Sequence, residues 1–437
     1  MEKRILVICE INDYITSIKR HYSLTKGFGI ATGLAKLSKV FYLTKGITQE
    51  KDGLILKNLN EIDIEFMNSI DYILLIREHN IFEVLDSNTA IKDTLLNFNK
   101  KHKVGMKSDA IEWLWDKKYI KDFKKKYNIS WHDFIEKGFD IICCQMKEYK
   151  KQALQLIKNR IFNKDPEFYI NLNNKLFNSR MGVFDKYPYT DDMKNPYDLN
   201  HSYCVDIGRS LSEGKALKPL CYTEKNYKYS NDPKKEKFNI SKTILIYMGR
   251  LKTDSGKILY MMRDIMKKLG PKYELHIFPG RFVIPDCPVS VFSNKYGENL
   301  QILRDVIFNS NNNIIIHYPY DDKTKAKYLK YADIGIDFSS TRPKNIKTLQ
   351  GNAKLLEYCA YGLKVVTERN VINSFLVDDA KNGICLKDIG TVEHYVNAIK
   401  EVEKMNYDRD YAINTTLKTQ SWDNIGKELF EHFESLI

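Results

Sequence analysis

Short, continuously apolar runs rich in β-branched residues recur along this chain with room for one helix between each pair, and they do so in two separate series. The first comprises Arg4 to Cys9, Lys39 to Leu43, Tyr72 to Ile76, Lys103 to Met106 and Asp140 to Cys144. The second comprises Thr243 to Met248, Tyr273 to Phe278, Asn313 to His317, Asp333 to Phe338 and the run starting at Lys364. Strands this short and this apolar must be covered on both faces, which is the condition of a parallel sheet flanked by its own crossover helices. The expected fold class is therefore α/β, with two doubly wound halves.

The stretch between the series, about Phe184 to Ser241, is polar and aromatic-rich, carries Pro188, Pro196, Pro219 and Pro233, and ends near NDPKKEK, a linker composition. This divides the chain into a domain over 1–185, a linker or insertion over 186–240, a second domain over 241–415 and a terminal segment over 416–437. In that segment Trp422 to Leu436 reads as an amphipathic helix. A length of 437 residues suits two domains of about 200 residues each. In the first domain, a loop containing Gly27 and Gly29 is expected to lead into a helix from about Ile30 to Leu37.

Composition narrows the setting. The 43% hydrophobic content supports sizeable cores, yet no apolar run approaches the ~20 residues of a membrane span. After Met1, Glu2, Lys3 and Arg4 only ILVIC follows before Glu10 and Asp13, so no secretory leader is expected. The eight cysteines are scattered with no C-x-x-C spacing, and adjacent Cys143 and Cys144 in a strand point to opposite faces. They read as reduced core thiols of a cytoplasmic protein, with no metal site.

The net charge of +13 calls for an account of partners. Lysines crowd KKYIKDFKKK, Lys117 to Lys126, while Trp115, Tyr119 and Phe123 recur every fourth residue, the pattern of a basic amphipathic helix. Such a helix can be a solvated face over an ordinary core stripe, a contact for an anionic membrane surface at the inner face, or a contact for nucleic acid such as DNA.

Parallel sheets bind ligands beyond the carboxyl ends of their strands. In the first half this selects Glu10 and Asn12, Arg77 to His79, Lys107 to Asp109, and Gln145. In the second half, the strand ending at Met248 runs into Gly249-Arg250-Leu251, and Lys257 opens the next helix. A diphosphate needs cations and free backbone N–H groups, and a glycine turn before a helix N-terminus with Arg250 and Lys257 nearby offers both. Further on, GNAKLLEYCAYGLKVV (Gly351 to Val366) combines a buried helical stripe of Leu355, Leu356, Cys359 and Ala360, a stop at Gly362, and a following strand. Lys354 and Glu357 stand three apart beside that stripe, either solvated and paired with each other or converging on a ligand.

That last segment resembles the nucleotide-sugar motif of retaining GT-B glycosyltransferases of group 1, the glycogen-synthase-like type. There the glutamate binds the nucleotide ribose and the glycine-ended helix supports the diphosphate. Other landmarks resemble the family in its own order: MGVFD (Met181 to Asp185), the Gly249-Arg250-Leu251 turn, YELHIFPG (Tyr273 to Gly280) and YADIGIDFSS (Tyr331 to Ser340). The family's lysine after the turn is displaced here, which makes Lys252 the fallback for Lys257. Phe338 replaces a proline, and Leu349 stands where many members carry a second glutamate, with Gln350 beside it.

The resemblance implies two Rossmann-like domains facing a central cleft, the C-terminal helix crossing back to the N-terminal domain. It implies a UDP- or GDP-linked sugar donor held by Gly249, Arg250, Lys257, Lys354, Leu355 and Glu357, with Gly27-Phe28-Gly29 against donor phosphates or acceptor. Neither a cofactor nor a metal is implied. The activity implied is transfer of a sugar, with retention, to a glycan or lipid-linked glycan, as in polysaccharide biosynthesis. Asp109 is then the first choice for an acceptor-side base and His79 the second. A DNA-base glycosyltransferase, a nucleotide-sugar epimerase and a non-catalytic sugar-nucleotide binding protein remain alternatives on the same scaffold.

Overall fold

A computed structural model describes residues 2–9, 22–76, 81–98, 101–107, 117–144, 166–178, 203–205, 219–221, 242–249, 257–279, 313–316, 328–338, 353–369, 371–387 and 390–436. The chain divides into two units, Met1–Phe184 with Lys418–Ile437, and Asp185–Leu417.

The first unit is built on β1 (Arg4–Ile8), β2 (Lys39–Thr44), β3 (Gln49–Lys51), β4 (Leu54–Asn58), β5 (Tyr72–Ile76), β6 (Lys103–Lys107), β7 (Ile141–Cys144) and β8 (Leu176–Asn178). They form one sheet in the order β3-β4-β2-β1-β5-β6-β7-β8. Its pairings are parallel except β3 with β4, a hairpin turned by Asp52 and Gly53, both at positive φ. Asp-Gly is the sequence that turn favours, because two successive residues must adopt the left-handed region. Strand order reverses at β1, which lies between β2 and β5.

Helix α1 (Tyr22–Leu34) covers one face of this sheet, starting earlier than expected. Helix α2 (Lys117–Tyr127) is the basic amphipathic helix. Its Phe123 is fully buried, with ring centroids 5.0 Å from Trp131 and 4.6 Å from Phe134 of α3 (Trp131–Gly138). Lys121, Lys124 and Lys125 are exposed, and Lys126 pairs with Asp86. One aromatic anchor therefore turns a lysine face outward. Trp115 lies outside the described residues.

The second unit carries the short antiparallel pair β9 (Tyr203–Val205) and β10 (Pro219–Cys221) within the stretch expected to be linker, because Tyr-Cys-Val and Pro-Leu-Cys are apolar islands in it. Its main sheet comprises β11 (Thr243–Gly249), β12 (Tyr273–Pro279), β13 (Ile314–Ile316), β14 (Ile334–Ile336), β15 (Lys364–Glu368) and β16 (Gly383–Leu386). The order is β13-β12-β11-β14-β15-β16, with all neighbours parallel. Alternation along β11 feeds two cores. Leu245 and Tyr247 face one layer with α4 (Lys257–Leu269). Ile244, Ile246 and Met248 face the other, with α5 (Ala353–Ala360) and α6 (Val371–Ala380). Helix α7 (Val392–Lys404) packs beside α4, and α8 (Arg409–Gln420) contributes Ala412 to the second layer.

Helix α9 (Trp422–Glu434), with Ser421 as N-cap, returns to the first unit and buries Trp422, Ile425, Leu429 and Phe433 against α1 and the sheet. That packing explains the early start of α1. A glycine costs a helix interior about 1 kcal/mol relative to alanine, so glycines there need a reason. A Cβ at Gly29 would lie 2.3 Å from the Trp422 indole, and one at Gly27 would lie 2.8 Å from Cys9 Sγ. The expected loop over Gly27 and Gly29 is thus corrected to a helix that needs glycine for close approach.

Candidate functional site

Counting from its first strand, the second sheet runs three-two-one-four-five-six. The reversal falls between β11 and β14, and such a switch point opens a crevice at the strands' carboxyl ends. Here those ends are Gly249 on one side and Asp337 and Phe338 on the other. The strands pair only through Leu245 with Ile334 and Ile246 with Gly335 before they part.

Tyr358 of α5 fills the gap beneath the parting strands. Its hydroxyl accepts from Met248 N–H at 3.0 Å and lies 3.3 Å from both the Ile246 and Ile336 carbonyls, to which it donates. The ring fits because position 335 is glycine, where a Cβ would lie 2.4 Å from it. With the floor fixed in this way, α5 presents its first turn to the crevice.

Lys354 lies in that turn. Its Nζ stands 2.9 Å from Asp337 Oδ1, donates to Tyr247 OH at 3.5 Å, and sits 4.5 Å from the centre of the Tyr247 ring. The lysine side chain is 14% exposed and the Asp337 side chain 0%. Burial opposes the ammonium's charge, but the Asp337 carboxylate and Tyr247 outweigh it, so the Lys354 pKa lies above lysine's usual value. Burial likewise holds the Tyr247 and Tyr358 phenols above theirs. Asp337 Oδ2 accepts from Thr367 Oγ1 at 3.0 Å, and its carbonyl accepts from Tyr395 OH at 3.0 Å. Gly249 closes the other side at φ +118, with its Cα direction pointing at the lysine: a Cβ there would lie 3.3 Å from Lys354 Cε and 3.5 Å from Nζ. Only glycine accommodates both that φ and that neighbour.

Glu357 follows one helical turn after Lys354 and is 8% exposed. Gly362 ends the segment at φ +63, and Arg409 donates to the Tyr361 carbonyl at 3.0 Å and the Lys330 carbonyl at 2.8 Å.

The structure thus brings Gly249 and Lys354 into contact and sets Glu357 on the same helix. Leu355 is fully buried in the layer between α5 and the sheet, as its place in the apolar stripe implies, and its side chain holds the helix down. Lys257 is the first residue of α4. Arg250, Lys252, Leu349, Gln350, His79, Asp109 and the Met181 to Asp185 landmark lie outside the described residues. Sequence reading passed over Asp337, Tyr247 and Tyr358. The available signal was an acid closing an otherwise apolar strand and two tyrosines at apolar positions. Among the described residues, no three His, Cys, Asp or Glu side chains stand together as a metal site, and no helix is long and apolar enough to cross a membrane.

No protein-family model and no curated protein matches the chain. Solved structures do match it, over nearly its full length. HepE from Anabaena, in complex with UDP-glucose, is 10% identical, with 99% of each chain covered and a TM-score of 0.56. A glycosyltransferase from Rickettsia africae is 11% identical over 99% of this chain and 98% of that one, with a TM-score of 0.56. The chain has the GT-B fold. Sucrose-phosphate synthase from Thermosynechococcus elongatus matches at 10% identity, 99% of each chain and a TM-score of 0.53. At these identities the GT-B likeness is one of backbone architecture, two doubly wound parallel sheets in one chain.

Proposed function

We propose that this GT-B chain is a glycosyltransferase that takes a sugar from a UDP- or GDP-linked donor bound on the second unit. The carrying observation is that Gly249 and Lys354 meet at the switch point of that sheet, the ammonium beside the glycine, with Glu357 one turn further along the same helix. HepE, which shares the fold, is described in complex with UDP-glucose. In this reading the diphosphate rests on the N–H groups after Gly249 and on Arg250, Lys257 and Lys354, while Glu357 takes the ribose hydroxyls. Fixed cations stabilise charge as it develops on the departing phosphate, so no metal is needed. The sugar's configuration is retained, and the leaving phosphate takes the acceptor's proton. The acceptor is a glycan or lipid-linked glycan held by the first unit, where Asp109 and His79 orient its hydroxyl, and Gly27 serves that unit by packing under β1. The chain works in the cytoplasm, with the lysine face of α2 toward the inner membrane surface.

Incubation with UDP- and GDP-sugars should release free nucleotide slowly, by donor hydrolysis without acceptor. A pure binding protein releases none. Glu357→Ala and Arg250→Ala should each weaken nucleotide binding about tenfold or more, the worth of one charge-assisted hydrogen bond. Unchanged affinity in both would remove the site assignment whatever the activity.

Gly249→Ala tests the turn itself. Its methyl group meets Lys354 Cε at 3.3 Å while the backbone is held at a φ alanine avoids. Calorimetry should find weaker UDP or GDP binding in a variant whose circular dichroism is unaltered.

A further inference from the structure

A lysine is a poor fixed charge, because its four-carbon stem is flexible and its ammonium strongly hydrated. Lys354 is held on three sides: Asp337 Oδ1 at 2.9 Å, the Tyr247 hydroxyl at 3.5 Å and the Tyr247 ring at 4.5 Å. Asp337 is held in turn, through Thr367 at Oδ2 and Tyr395 at its carbonyl. The ammonium borders Gly249, where a Cβ would lie 3.5 Å from Nζ, and the lysine side chain keeps 14% of its surface exposed. A buried pair serving stability alone has no need to border a glycine turn at the sheet's switch point.

We propose that Asp337 is a positioning residue for the donor diphosphate. It keeps the Lys354 ammonium charged and aimed across Tyr247 at the Gly249 turn, so that the donor meets a cation whose conformational freedom has already been removed. This rests on the reading of the crevice as a nucleotide-diphosphate site.

The groups facing Lys354 are Asp337 after β14 and Tyr247 on β11, while Glu357 and Tyr358 follow it on its own helix. Behind Asp337 stand Thr367 and Glu368 on β15 and Tyr395 on α7. Of the causes acting on Lys354, burial opposes the charge and Asp337 heads those that sustain it. Without that carboxylate, burial is opposed by Tyr247 alone among these causes, so the ammonium should lose its proton at lower pH.

The test is calorimetric titration with UDP and GDP, carrying forward whichever binds, at pH 7 to 9, above the range where the terminal phosphate itself titrates. Wild-type affinity should change less than about twofold across that window. In Asp337→Asn it should fall about tenfold or more as pH rises, the loss of one charge-assisted contact. Lys354→Arg on the Asp337→Asn background should restore a flat profile, because a guanidinium stays protonated throughout. Asp337→Ser repeats the titration should the asparagine variant melt below the working temperature.

Wild-type affinity and a flat profile in the Asp337 variants overturn the proposal. A sloping profile that Lys354→Arg does not flatten also overturns it, since another group is then titrating. Failure of the wild type to bind either nucleotide overturns instead the donor-site reading on which the proposal rests.

Discussion

Gly426→Val should destabilise the first unit by about 3 kcal/mol or more, at the upper end of what overpacking costs. Helices α1 and α9 cross backbone to backbone. A Cβ at Gly426 would lie 2.5 Å from the Gly33 carbonyl carbon and 2.7 Å from Leu34 N, and one at Gly33 would lie 2.1 Å from the Trp422 carbonyl oxygen. These neighbours are main chain, so no rotamer change relieves the clash, and the helices must separate. Separation withdraws Trp422, Ile425, Leu429 and Phe433 from the core they share with Phe28, Ile30 and Leu34. Each such side chain is worth about 1.5–3 kcal/mol when fully buried. For a unit of this size, 3 kcal/mol corresponds to a fall in Tm of about 6–12 °C by differential scanning calorimetry. Gly46→Val is the control: the nearest atom to its Cβ is Thr44 Oγ1 at 3.5 Å, so its melting should stay near wild type.

The same crossing marks the limit of what sequence could tell. Five strands of each sheet were legible, because runs such as TILIYM and YILLI are short, apolar on both faces and rich in the residues that covered parallel strands use. Alternation of sides along β11 then follows from the pleat. The start of α1 was not legible, because glycines at 27 and 29 look locally like a loop, and the indole that justifies Gly29 belongs to a residue 393 positions away. The β3–β4 hairpin carried its Asp-Gly signal, but strands of three and five residues are too short for periodicity to stand out.

The helix carrying Lys354 and Glu357 was legible from its apolar stripe, but the partner of Lys354 was not: it pairs with Asp337 rather than with Glu357. Leu355 lies in the core, where the apolar stripe of its helix put it. Asp337 was invisible. Its importance lies in a pairing with Lys354 across the β14–α5 connection, and Gly335 matters only because Tyr358 needs its space. Pairings of this kind are set by how the helix docks on the sheet, which no local pattern encodes.

Removing the cation from that pairing should be costly to the second unit. Lys354→Met is expected to destabilise by about 3–5 kcal/mol, the usual cost of breaking a buried pair by taking one partner. The buried carboxylate loses this cation while Thr367 still holds Oδ2 in place, so Asp337 cannot swing out to water without giving up that bond. Adding Asp337→Asn to Lys354→Met removes the charge left behind while keeping its shape, and should recover most of the loss. The interaction energy from the full double-mutant cycle should therefore be large, whereas an exposed pair such as Lys427 with Glu431 should give less than about 1 kcal/mol. The pH dependence has a definite sign. Because the folded pKa of Lys354 is raised, its contribution is complete below lysine's unfolded value of about 10.4 and is lost only as pH climbs through the folded value. The advantage of wild type over the double variant should thus stay constant from pH 6 to 9 and shrink only at alkaline pH, as read by urea denaturation. A difference that instead disappeared between pH 6 and 9 would mean that Lys354 is neutral in the folded protein, and would place the charge at the Gly249 turn on another residue.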